Sequence, residues 1–468
     1  MQSIFIFRRD FRTIDNLGLI ECAKKSSSIL PIFIFTPEQV ENNEYFSSNS
    51  FQFMLNALEN LNQELVEKYN SKIHYFYGDN VSVLKKIRKE YEYDAIYFNM
   101  DYTLYAKKRD SEIKKFSEDN NIQCTMIEDY LLMPVSTYLK ADGTPFLVYG
   151  PFKKNAKNKS STKQFTIPRP NKIKIDKFIS FEFSFLYNLK KLEKYYTKNP
   201  NLLISFENTN RESVLKILKT IDKFINYAEE RNTLIQPTTM LSAYIKYGII
   251  SIREVYHYIV DAFGIEHGLI DQLYWREFYF YIAYYIPRVL EGKSLKEKYD
   301  GIKWENNKKN IEAWKNGLTG FPAVDAGMRE MNTTGYMHNR ARLITSGILI
   351  KILNCDWRIG EKYFAQMLLD YDPIVNNGNW QWSSSSGADS QPYFRIMSPW
   401  KQANDHDQDC EYIKKWIPEL KDVPAKDILK WNITCKKYKG KISYPEPVVN
   451  YEEMRKSIVD VYKEGIYE

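Results

Sequence analysis

The chain has 468 residues, of which 44% are hydrophobic and 27% are charged, and its formal net charge is +7. This length predicts two or more domains, because a single hydrophobic core stops growing beyond about 250–300 residues. No apolar run approaches the ~20 residues of a membrane span, and the first residues lack the pattern of a signal peptide. The five scattered cysteines form no Cys-x-x-Cys pair, which predicts reduced thiols in an intracellular protein without a zinc ribbon or disulfide framework.

Aromatic residues make up 15% of the chain and include 9 tryptophans. A basic protein with many aromatic side chains is suited to stacking on nucleic-acid bases or on a planar cofactor. An AT-rich genome would also raise the content of Tyr and Phe, but it would not raise the content of Trp.

The first ~130 residues alternate short β-type runs with helical patterns, which predicts a parallel sheet covered by helices on both faces. The predicted strands are 3–7, 29–35, 72–76, 95–98 and 123–127, and the clearest helices are 51–69, 81–90 and 105–119. The turn after the first strand contains no Gly-x-Gly-x-x-Gly, and the chain has no Walker A sequence. A conventional dinucleotide-binding or NTPase domain therefore lacks its main support.

Residues 147–187 interrupt this alternation and predict a long connection along the surface. The segment is rich in lysine, with Lys153, Lys154, Lys157, Lys159, Lys163, Lys172 and Lys174. A solvated basic linker is the commoner structure for such a segment, and a direct DNA contact is the alternative.

From about residue 213 onward, apolar residues recur at helical spacing and predict an all-α half. The predicted helices are 215–228, 240–247, 252–262, 269–284, 341–353 and 361–369. The polar and aromatic exceptions to this spacing carry the information about function.

The segment 369–382 places polar groups directly before a Trp-x-Trp pair. Its members are Asp370, Asp372, Asn376, Asn377, Trp380 and Trp382. Surface loops seldom end in two tryptophans, and core segments seldom carry so many acids and amides. The mixture suggests a pocket wall facing a flat heteroaromatic ligand, although a polar turn before a core helix is the commoner structure for this composition.

A second candidate segment is 272–279, where Gln272, Trp275 and Arg276 share one face of a predicted helix. An indole beside an amide and a guanidinium is able to stack on a base and hydrogen-bond its edge. A core tryptophan beside an arginine that reaches a buried carboxylate explains the same residues equally well.

Two further segments carry groups suited to anions. In 335–342, Arg340 and Arg342 offer a site for a carboxylate or a phosphate, whereas His338 is interpreted as structural. In 236–242, hydroxyl groups at a helix start suit a phosphate, although N-capping is the commoner use of such residues.

Taken in this order, the motifs resemble those of the DNA photolyase/cryptochrome family over essentially the whole chain. The resemblance is densest between residues 335 and 420, in Met337-His-Asn-Arg340, Asp356-Trp-Arg358, Asn376-Asn-Gly378, Trp380-Gln-Trp382 and Pro392-Tyr-Phe-Arg-Ile396. Within the family, the chain looks most like the class I photolyases that act on cyclobutane pyrimidine dimers. The resemblance implies an α/β antenna domain with a parallel sheet over residues 1–130, an interdomain linker over 131–205 and an all-α FAD-binding domain over 206–468.

The resemblance also implies roles for individual residues. The FAD phosphates and their surroundings would be bound by Tyr227, Thr238, Thr239, Met240, Leu241 and Ser242. The flavin would be lined by Asn339, Arg342, Asp370, Asp372 and Asn376, with Asn376 facing N5 and a buried Arg342–Asp370 salt bridge near the ring. Electrons from the surface would pass through Trp304, Trp357 and Trp380. A flipped-out lesion would lie between Trp275 and Trp382 beside Gln272, on DNA held by Arg231, Arg340 and Arg395.

As a function, the resemblance implies light-driven repair of cyclobutane pyrimidine dimers by electron transfer from photoexcited FADH⁻. A six-four photolyase or a cryptochrome blue-light receptor is the alternative. Gln272 departs from the class I pattern, which generally has Glu there, and glutamine is more typical of six-four photolyases and animal cryptochromes. Six-four enzymes, however, use two histidines where this chain has Asn339 and Leu343, which keeps cyclobutane dimers the preferred substrate.

The remaining expectations concern the second chromophore and the partners. Residues 99–110 resemble the segment that lines the family's antenna pocket, and Ala106 stands where a folate-contacting Glu often occurs. A deazaflavin antenna or an empty antenna site is therefore favoured over methenyltetrahydrofolate. The expected partner is ultraviolet-damaged DNA, bound by a monomer in the cytoplasm or nucleus, without a membrane or a metal.

Overall fold

The computed structural model describes residues 1–160, 166–172 and 175–467. Its N-terminal part contains a five-stranded parallel sheet with strand order β3-β2-β1-β4-β5. The strands are β1 (Gln2–Ile6), β2 (Ser28–Phe35), β3 (His74–Tyr77), β4 (Ala95–Asn99) and β5 (Gln123–Ile127). The predicted parallel sheet is confirmed, and each predicted strand overlaps an observed one.

The helices between the strands and the helices of the C-terminal half also follow the predicted order. Between the strands lie α1 (Leu17–Lys25), α2 (Ser48–Tyr69), α3 (Asn80–Glu90) and α4 (Leu104–Asp119). After the sheet come α5 (Tyr149–Ser160), α6 (Arg211–Lys219), α7 (Ile252–Phe263), α8 (Gly268–Tyr285), α9 (Lys308–Lys315), α10 (Pro322–Thr334), α11 (Asn339–Lys351), α12 (Trp357–Met367), α13 (Pro373–Ser383), α14 (Pro399–His406) and α15 (Tyr451–Tyr467). Shorter helices lie at Pro37–Val40, Tyr227–Glu230, Ser242–Lys246, Glu411–Trp416, Ala425–Ile428 and Trp431–Thr434. None of the described helices is long and apolar enough to cross a membrane.

The two faces of the sheet pack against different parts of the chain. Ile4 and Ile96 point to one side, into a core shared with α3 and α4. Phe5 and Tyr97 point to the other side, into a core that continues into α7 and α8. Because side chains alternate along a strand, one apolar run serves both the domain's own core and its contact with the helical half.

The prediction of a surface connection is wrong for residues 149–160, which form α5. Tyr149, Phe152 and Ala156 recur at helical spacing and are buried. The lysines between them dominate the composition and obscured this spacing. Three buried side chains on one face are enough to dock a short helix against the core.

The lysines of α5 that were considered for DNA contact are partly used within the protein. Lys153 and Lys157 both pair with Asp271 of α8, at 3.0 and 3.4 Å. Lys163 and Lys174 lie outside the described residues. Lys153 and Lys157 therefore support the docking of α5 against α8.

The predicted helix 215–228 is also shorter than expected, because α6 ends at Lys219. The N–H of Thr220 bonds to the main-chain oxygens of Ile217 and Leu218, which tightens the last turn. The chain then continues as a 3₁₀ turn at Ile221–Phe224 and the short helix at Tyr227–Glu230.

A buried cluster of charges joins the sheet to the helical half. Arg253 of α7 donates to Asp15 Oδ2 at 2.9 Å and to Asp129 Oδ1 at 2.8 Å, and Arg12 also pairs with Asp129. All four residues are at most 2% exposed. Burial alone would raise the pKa of Asp129, but Arg12 and Arg253 hold that pKa below its ordinary value.

We expect Arg253→Gln to lower the free energy of unfolding by about 3–5 kcal/mol, because it removes the cation that pairs with buried Asp15 and one of the two cations that pair with buried Asp129. Urea titration followed by circular dichroism measures this loss. Arg169→Gln is the matched control, since the Arg169–Asp261 pair is 66% and 55% exposed and should contribute less than about 1 kcal/mol. Equal unfolding midpoints for the two variants would contradict a central role for the cluster.

Candidate functional site

The predicted pair Arg342–Asp370 is present at the N-terminal part of α11. Arg342 Nη2 donates to Asp370 Oδ2 and Oδ1 at 3.0 and 3.2 Å, and Ser242 Oγ donates to Asp370 Oδ2 at 2.7 Å. The Nε of Arg342 donates to the main-chain oxygen of Met337, which fixes the orientation of the guanidinium. The Asp370 side chain is 5% exposed and that of Arg342 is 26% exposed. Arg342 thus balances the charge of Asp370, while one edge of the Arg342 guanidinium remains accessible.

The predicted phosphate-binding segment 238–242 lies beside this pair. The Thr238 hydroxyl is 2.8 Å from the hydroxyl of Tyr336. Met240 has a left-handed φ of +55°, a conformation that costs a non-glycine residue about 1–2 kcal/mol. Leu241 is buried in the core and offers only its main chain. The members that remain at least partly exposed are Thr238, Thr239, Met240 and Ser242.

A basic patch lies next to the start of α8. Tyr227 packs against Gly268, where an added Cβ would lie 3.1 Å from the tyrosine ring. Arg231 is exposed and its guanidinium lies 6.0 Å from the Tyr227 ring. Arg340 Nη2 donates to Asn232 Oδ1 at 2.6 Å. Burial and the neighbouring Arg231 lower the pKa of Arg340, so an anion bound here would relieve the repulsion between the two cations.

His338 is the N-cap residue of α11, and Asn339 is the first residue of the helix. His338 Nδ1 accepts the N–H of Arg340 at 3.1 Å and caps the helix, which fits the structural role predicted for this histidine. Burial and the nearby arginines lower the pKa of His338 to about 4, so it is neutral at pH 7. Asn339 is exposed, and its amide has no hydrogen-bond partner among the described residues.

The carboxylate of Asp372 is already engaged within the protein. Its Oδ1 accepts the N–H groups of Ile374 and Val375 and so caps α13, while its Oδ2 accepts from Arg9 Nη1 at 2.6 Å. Burial would raise the pKa of Asp372, but Arg9 and Arg276 hold it below its ordinary value. Asp372 is expected to line the flavin, and in the structure its side chain connects α13 to the turn after β1.

Asn376 and Asn377 both contact Glu361 of α12. Asn376 Nδ2 donates to the main-chain oxygen of Glu361 at 3.0 Å, and Asn377 Nδ2 donates to Glu361 Oε1 at 3.0 Å. The Asn376 Oδ1 atom accepts no hydrogen bond within the described part of the chain. Burial raises the pKa of Glu361 to about 7. The prediction missed Glu361, because a single glutamate within a helical pattern gives no signal of its own.

The three relay tryptophans differ in burial. Trp380 and Trp357 are 2% and 1% exposed, and Trp304 is half-buried against Tyr462 at a ring distance of 5.6 Å. Trp380 rests against Gly360, where a Cβ would overlap the indole. Gly360 lies one turn after Trp357 on α12, so α12 brings the two inner tryptophans close to each other. Two members of the set are therefore enclosed in the core, and the third reaches the surface.

The residues assigned to the lesion lie on α8 and α13. These helices touch where Gly378 faces Tyr279, since a Cβ on Gly378 would overlap the tyrosine ring. Trp275 lies one turn before Tyr279, and Trp382 lies one turn after Gly378; both indoles are half-buried. The Nε2 of Gln272 donates weakly, at 3.4 Å, to a main-chain oxygen of the preceding turn, so the amide remains available to a ligand.

Arg395 lies on the loop that follows α13. It is exposed and donates to Gln391 Oε1 at 2.9 Å. Buried Lys351 anchors this loop. Its Nζ donates to Ser385 Oγ at 2.8 Å and to the main-chain oxygen of Tyr393 at 3.1 Å. Burial lowers the pKa of Lys351 to about 7. The prediction missed this lysine, since its burial is a property of the folded chain.

A separate cavity of about 530 Å³ lies at the carboxyl ends of the β-strands, between the sheet and the helical half. Its lining includes Arg8, Arg9, Thr36 and Tyr105 on one side, with Lys246, Tyr371 and Asn377 on the other. This edge of a parallel sheet is where α/β proteins commonly bind ligands, and the volume lies within the range of about 300–1,000 Å³ typical of small-molecule sites.

Comparison with protein-family models gives two matches. Residues 3–171 match the model described as DNA photolyase, and residues 269–464 match the model described as the FAD binding domain of DNA photolyase. The second match confirms the prediction of a FAD-binding domain in the helical half.

Relatives and solved structures match over nearly the whole chain. A deoxyribodipyrimidine photo-lyase of Buchnera aphidicola subsp. Acyrthosiphon pisum is 34% identical, over 99% of this chain and 97% of its own. A crystal structure of an archaeal photolyase from Sulfolobus tokodaii has a TM-score of 0.86 and 36% identity, over 99% of this chain and 100% of its own. That structure contains two FAD molecules, with the implication of a novel light-harvesting cofactor. A bacterial class III photolyase from Agrobacterium tumefaciens has a TM-score of 0.88 and 27% identity, over 99% and 97% of the two chains.

Proposed function

The chain belongs to the DNA photolyase family, and from this we propose that it uses light to repair cyclobutane pyrimidine dimers in ultraviolet-damaged DNA. The observation that carries the proposal is the arrangement of α13. Asn376 and Trp380 lie on one side of this helix, four residues apart, and Trp382 lies about 160° around the helix from Trp380. One short helix therefore presents an amide and a relay indole on one side and a second indole on the side that packs against α8.

The residues around Arg342 fit a bound FAD. The open edge of the Arg342 guanidinium suits an electron-rich ring edge or a phosphate, and the hydroxyls of Thr238 and Ser242 suit the phosphates. Asn376 holds its amide nitrogen on the protein and leaves Oδ1 free to accept the N–H of a reduced flavin ring. Reduced FAD supplies one electron when it absorbs light. We assign Asp372 the role of positioning α13, since its carboxylate is already paired.

The tryptophans support a path for electrons between the surface and the site. Trp304 is half-buried, whereas Trp357 and Trp380 are enclosed in the core. An indole is able to lose and regain an electron without breaking a bond, and burial protects the inner two from reaction with water. These side chains therefore suit delivery of electrons that keep FAD in its reduced form.

The neutral groups of the site favour cyclobutane dimers over six-four photoproducts. Repair of a six-four photoproduct by the family's usual acid chemistry relies on imidazoles where this chain has Asn339 and Leu343. His338, the nearest imidazole in sequence, caps α11 and has a pKa of about 4. Gln272 and Asn339 offer hydrogen bonds to the carbonyls of a dimer but no acidic proton. We assign Arg231, Arg340 and Arg395 to contacts with the DNA backbone.

We further propose that the cavity at the sheet edge holds an antenna of the flavin class, either a flavin or a deazaflavin. Tyr105 of α4 lines this cavity, whereas the adjacent Ala106 is buried in the helix packing and provides no carboxylate for a folate. Spectra of the chromophores released on denaturing the purified protein test this proposal. We expect a flavin or deazaflavin in addition to one equivalent of FAD, and a bound folate would contradict it.

The proposed function predicts selective repair under light. Reduced, FAD-loaded protein is illuminated with near-ultraviolet or blue light in the presence of oligonucleotides that carry one cyclobutane thymine dimer or one six-four photoproduct. Chromatography of the oligonucleotides should show repair of the first and none of the second, with no repair in the dark. Repair of the six-four photoproduct alone, or of neither lesion, would contradict the proposal.

The amide of Gln272 should serve nearly as well as the acid usual in class I enzymes. We expect Gln272→Glu to leave affinity for the dimer intact and to change the repair yield per photon less than about fivefold, because either side chain can hydrogen-bond the dimer. Gln272→Leu, which removes that hydrogen bond, is the matched variant and should lower the yield more. A fully active Gln272→Leu would show that residue 272 does not contact the dimer.

A further inference from the structure

Tyr149, the first residue of α5, lies flat against the indole of Trp275. The ring centroids are 3.6 Å apart and the ring planes differ by 9°. A distance this short between nearly parallel rings means that the phenol covers one face of the indole. Any base that stacks on Trp275 must therefore use the opposite face.

Tyr149 is held in place by the surrounding core. It is 7% exposed, and its hydroxyl donates to the main-chain oxygen of Asp271 at 2.7 Å, one turn before Trp275 on α8. The ring of Phe278 meets it edge-on at 5.8 Å. Displacing Tyr149 would break a buried hydrogen bond and empty a packed site, so the ring forms a fixed wall behind the indole.

The orientation of Trp275 depends on this wall more than on its other neighbours. Phe278 and Tyr279 touch the indole at 5.9 and 5.7 Å, in an edge-on and a tilted arrangement. Both lie on the same helix as Trp275 and contact it less closely than Tyr149 does. Tyr149 comes from a different helix and is the described ring that stacks in parallel on this indole.

We propose that Tyr149 is a positioning residue that holds the Trp275 indole in the orientation needed to stack on the flipped-out lesion. The inference rests on the proposed function, because it assigns the open face of Trp275 to the dimer. An indole ordered before binding loses less side-chain freedom when the lesion arrives. That advantage corresponds to about a twofold to tenfold gain in affinity for damaged DNA.

Three variants of the full-length, FAD-loaded protein test this role. Tyr149→Leu removes the stacked ring, and Tyr149→Phe keeps the ring but removes the hydroxyl. Tyr138→Leu is the matched control, since Tyr138 is 2% exposed and packs on Phe152 of α5 at 5.4 Å in the same core. Each protein is titrated with an oligonucleotide carrying one cyclobutane thymine dimer and with the undamaged oligonucleotide, and its urea midpoint is measured.

We expect Tyr149→Leu to reduce the preference for damaged over undamaged DNA by about twofold to tenfold. Tyr149→Phe and Tyr138→Leu should keep the wild-type preference, even where Tyr138→Leu lowers the urea midpoint. Repair per photon by Tyr149→Leu saturated with damaged DNA should change less than its affinity. Tyr149→Met serves the same comparison if Tyr149→Leu fails to retain FAD.

An unchanged preference in Tyr149→Leu would overturn the inference. An increased preference would also overturn it, since Tyr149 would then act as a cover that the lesion must displace. An equal loss of preference for damaged DNA in Tyr138→Leu would also overturn it, because general damage to the core would then explain the result. Wild-type protein that fails to distinguish the two oligonucleotides would contradict the proposed function itself, which separates that failure from failure of the inference.

Discussion

The buried contact between Arg12, Arg253, Asp15 and Asp129 fixes how the sheet and the helical half meet. Charges that are withdrawn from water are tolerated only when every one of them is paired. Here the pairing needs both the sheet, which supplies Arg12, Asp15 and Asp129, and α7, which supplies Arg253. A displacement of the two halves would leave at least one charge uncompensated, so the cluster specifies one orientation. The cavity at the sheet edge exists only in that orientation, because both halves line it.

The turn after β1 also connects the sheet part of the chain to the candidate site. Arg9, three residues before Arg12, binds Asp101 of the sheet part and Asp372 at the start of α13. Because Asp372 also caps α13, a residue of the sheet part sets the position of the helix that carries Asn376, Trp380 and Trp382. Other parallel-sheet folds use glycines in the corresponding turn to approach a phosphate. In this chain the turn holds arginines, and it binds another part of the protein.

The features predicted from the sequence were those that local patterns determine. The strands have short apolar runs between turn residues, and the Arg342–Asp370 pair was predicted through a motif resemblance. Helix α5 was missed because its three buried residues stand among lysines, whose side chains are compatible with either a linker or a docked helix. The engagement of Asp372 by Arg9 joins residues 363 positions apart, and no local pattern contains such a contact. Glu361 and Lys351 were missed because burial alters their pKa values. Their burial depends on the whole fold and is not visible in a local pattern.

The polar groups around the candidate site also limit the chemistry that it supports. Gln272, Asn339 and Asn376 are amides, and His338 is neutral because its pKa is about 4. Asp370 is neutralised by Arg342 and Asp372 by Arg9. None of these groups is a ready proton donor at pH 7. These amides and paired carboxylates supply no acid catalyst, and Glu361, whose pKa is about 7, is bound by Asn377 of α13. Splitting a cyclobutane ring by adding and then removing one electron requires no net proton transfer. These groups therefore support the proposed electron transfer between a cofactor and a base that hydrogen bonds and stacking hold in place.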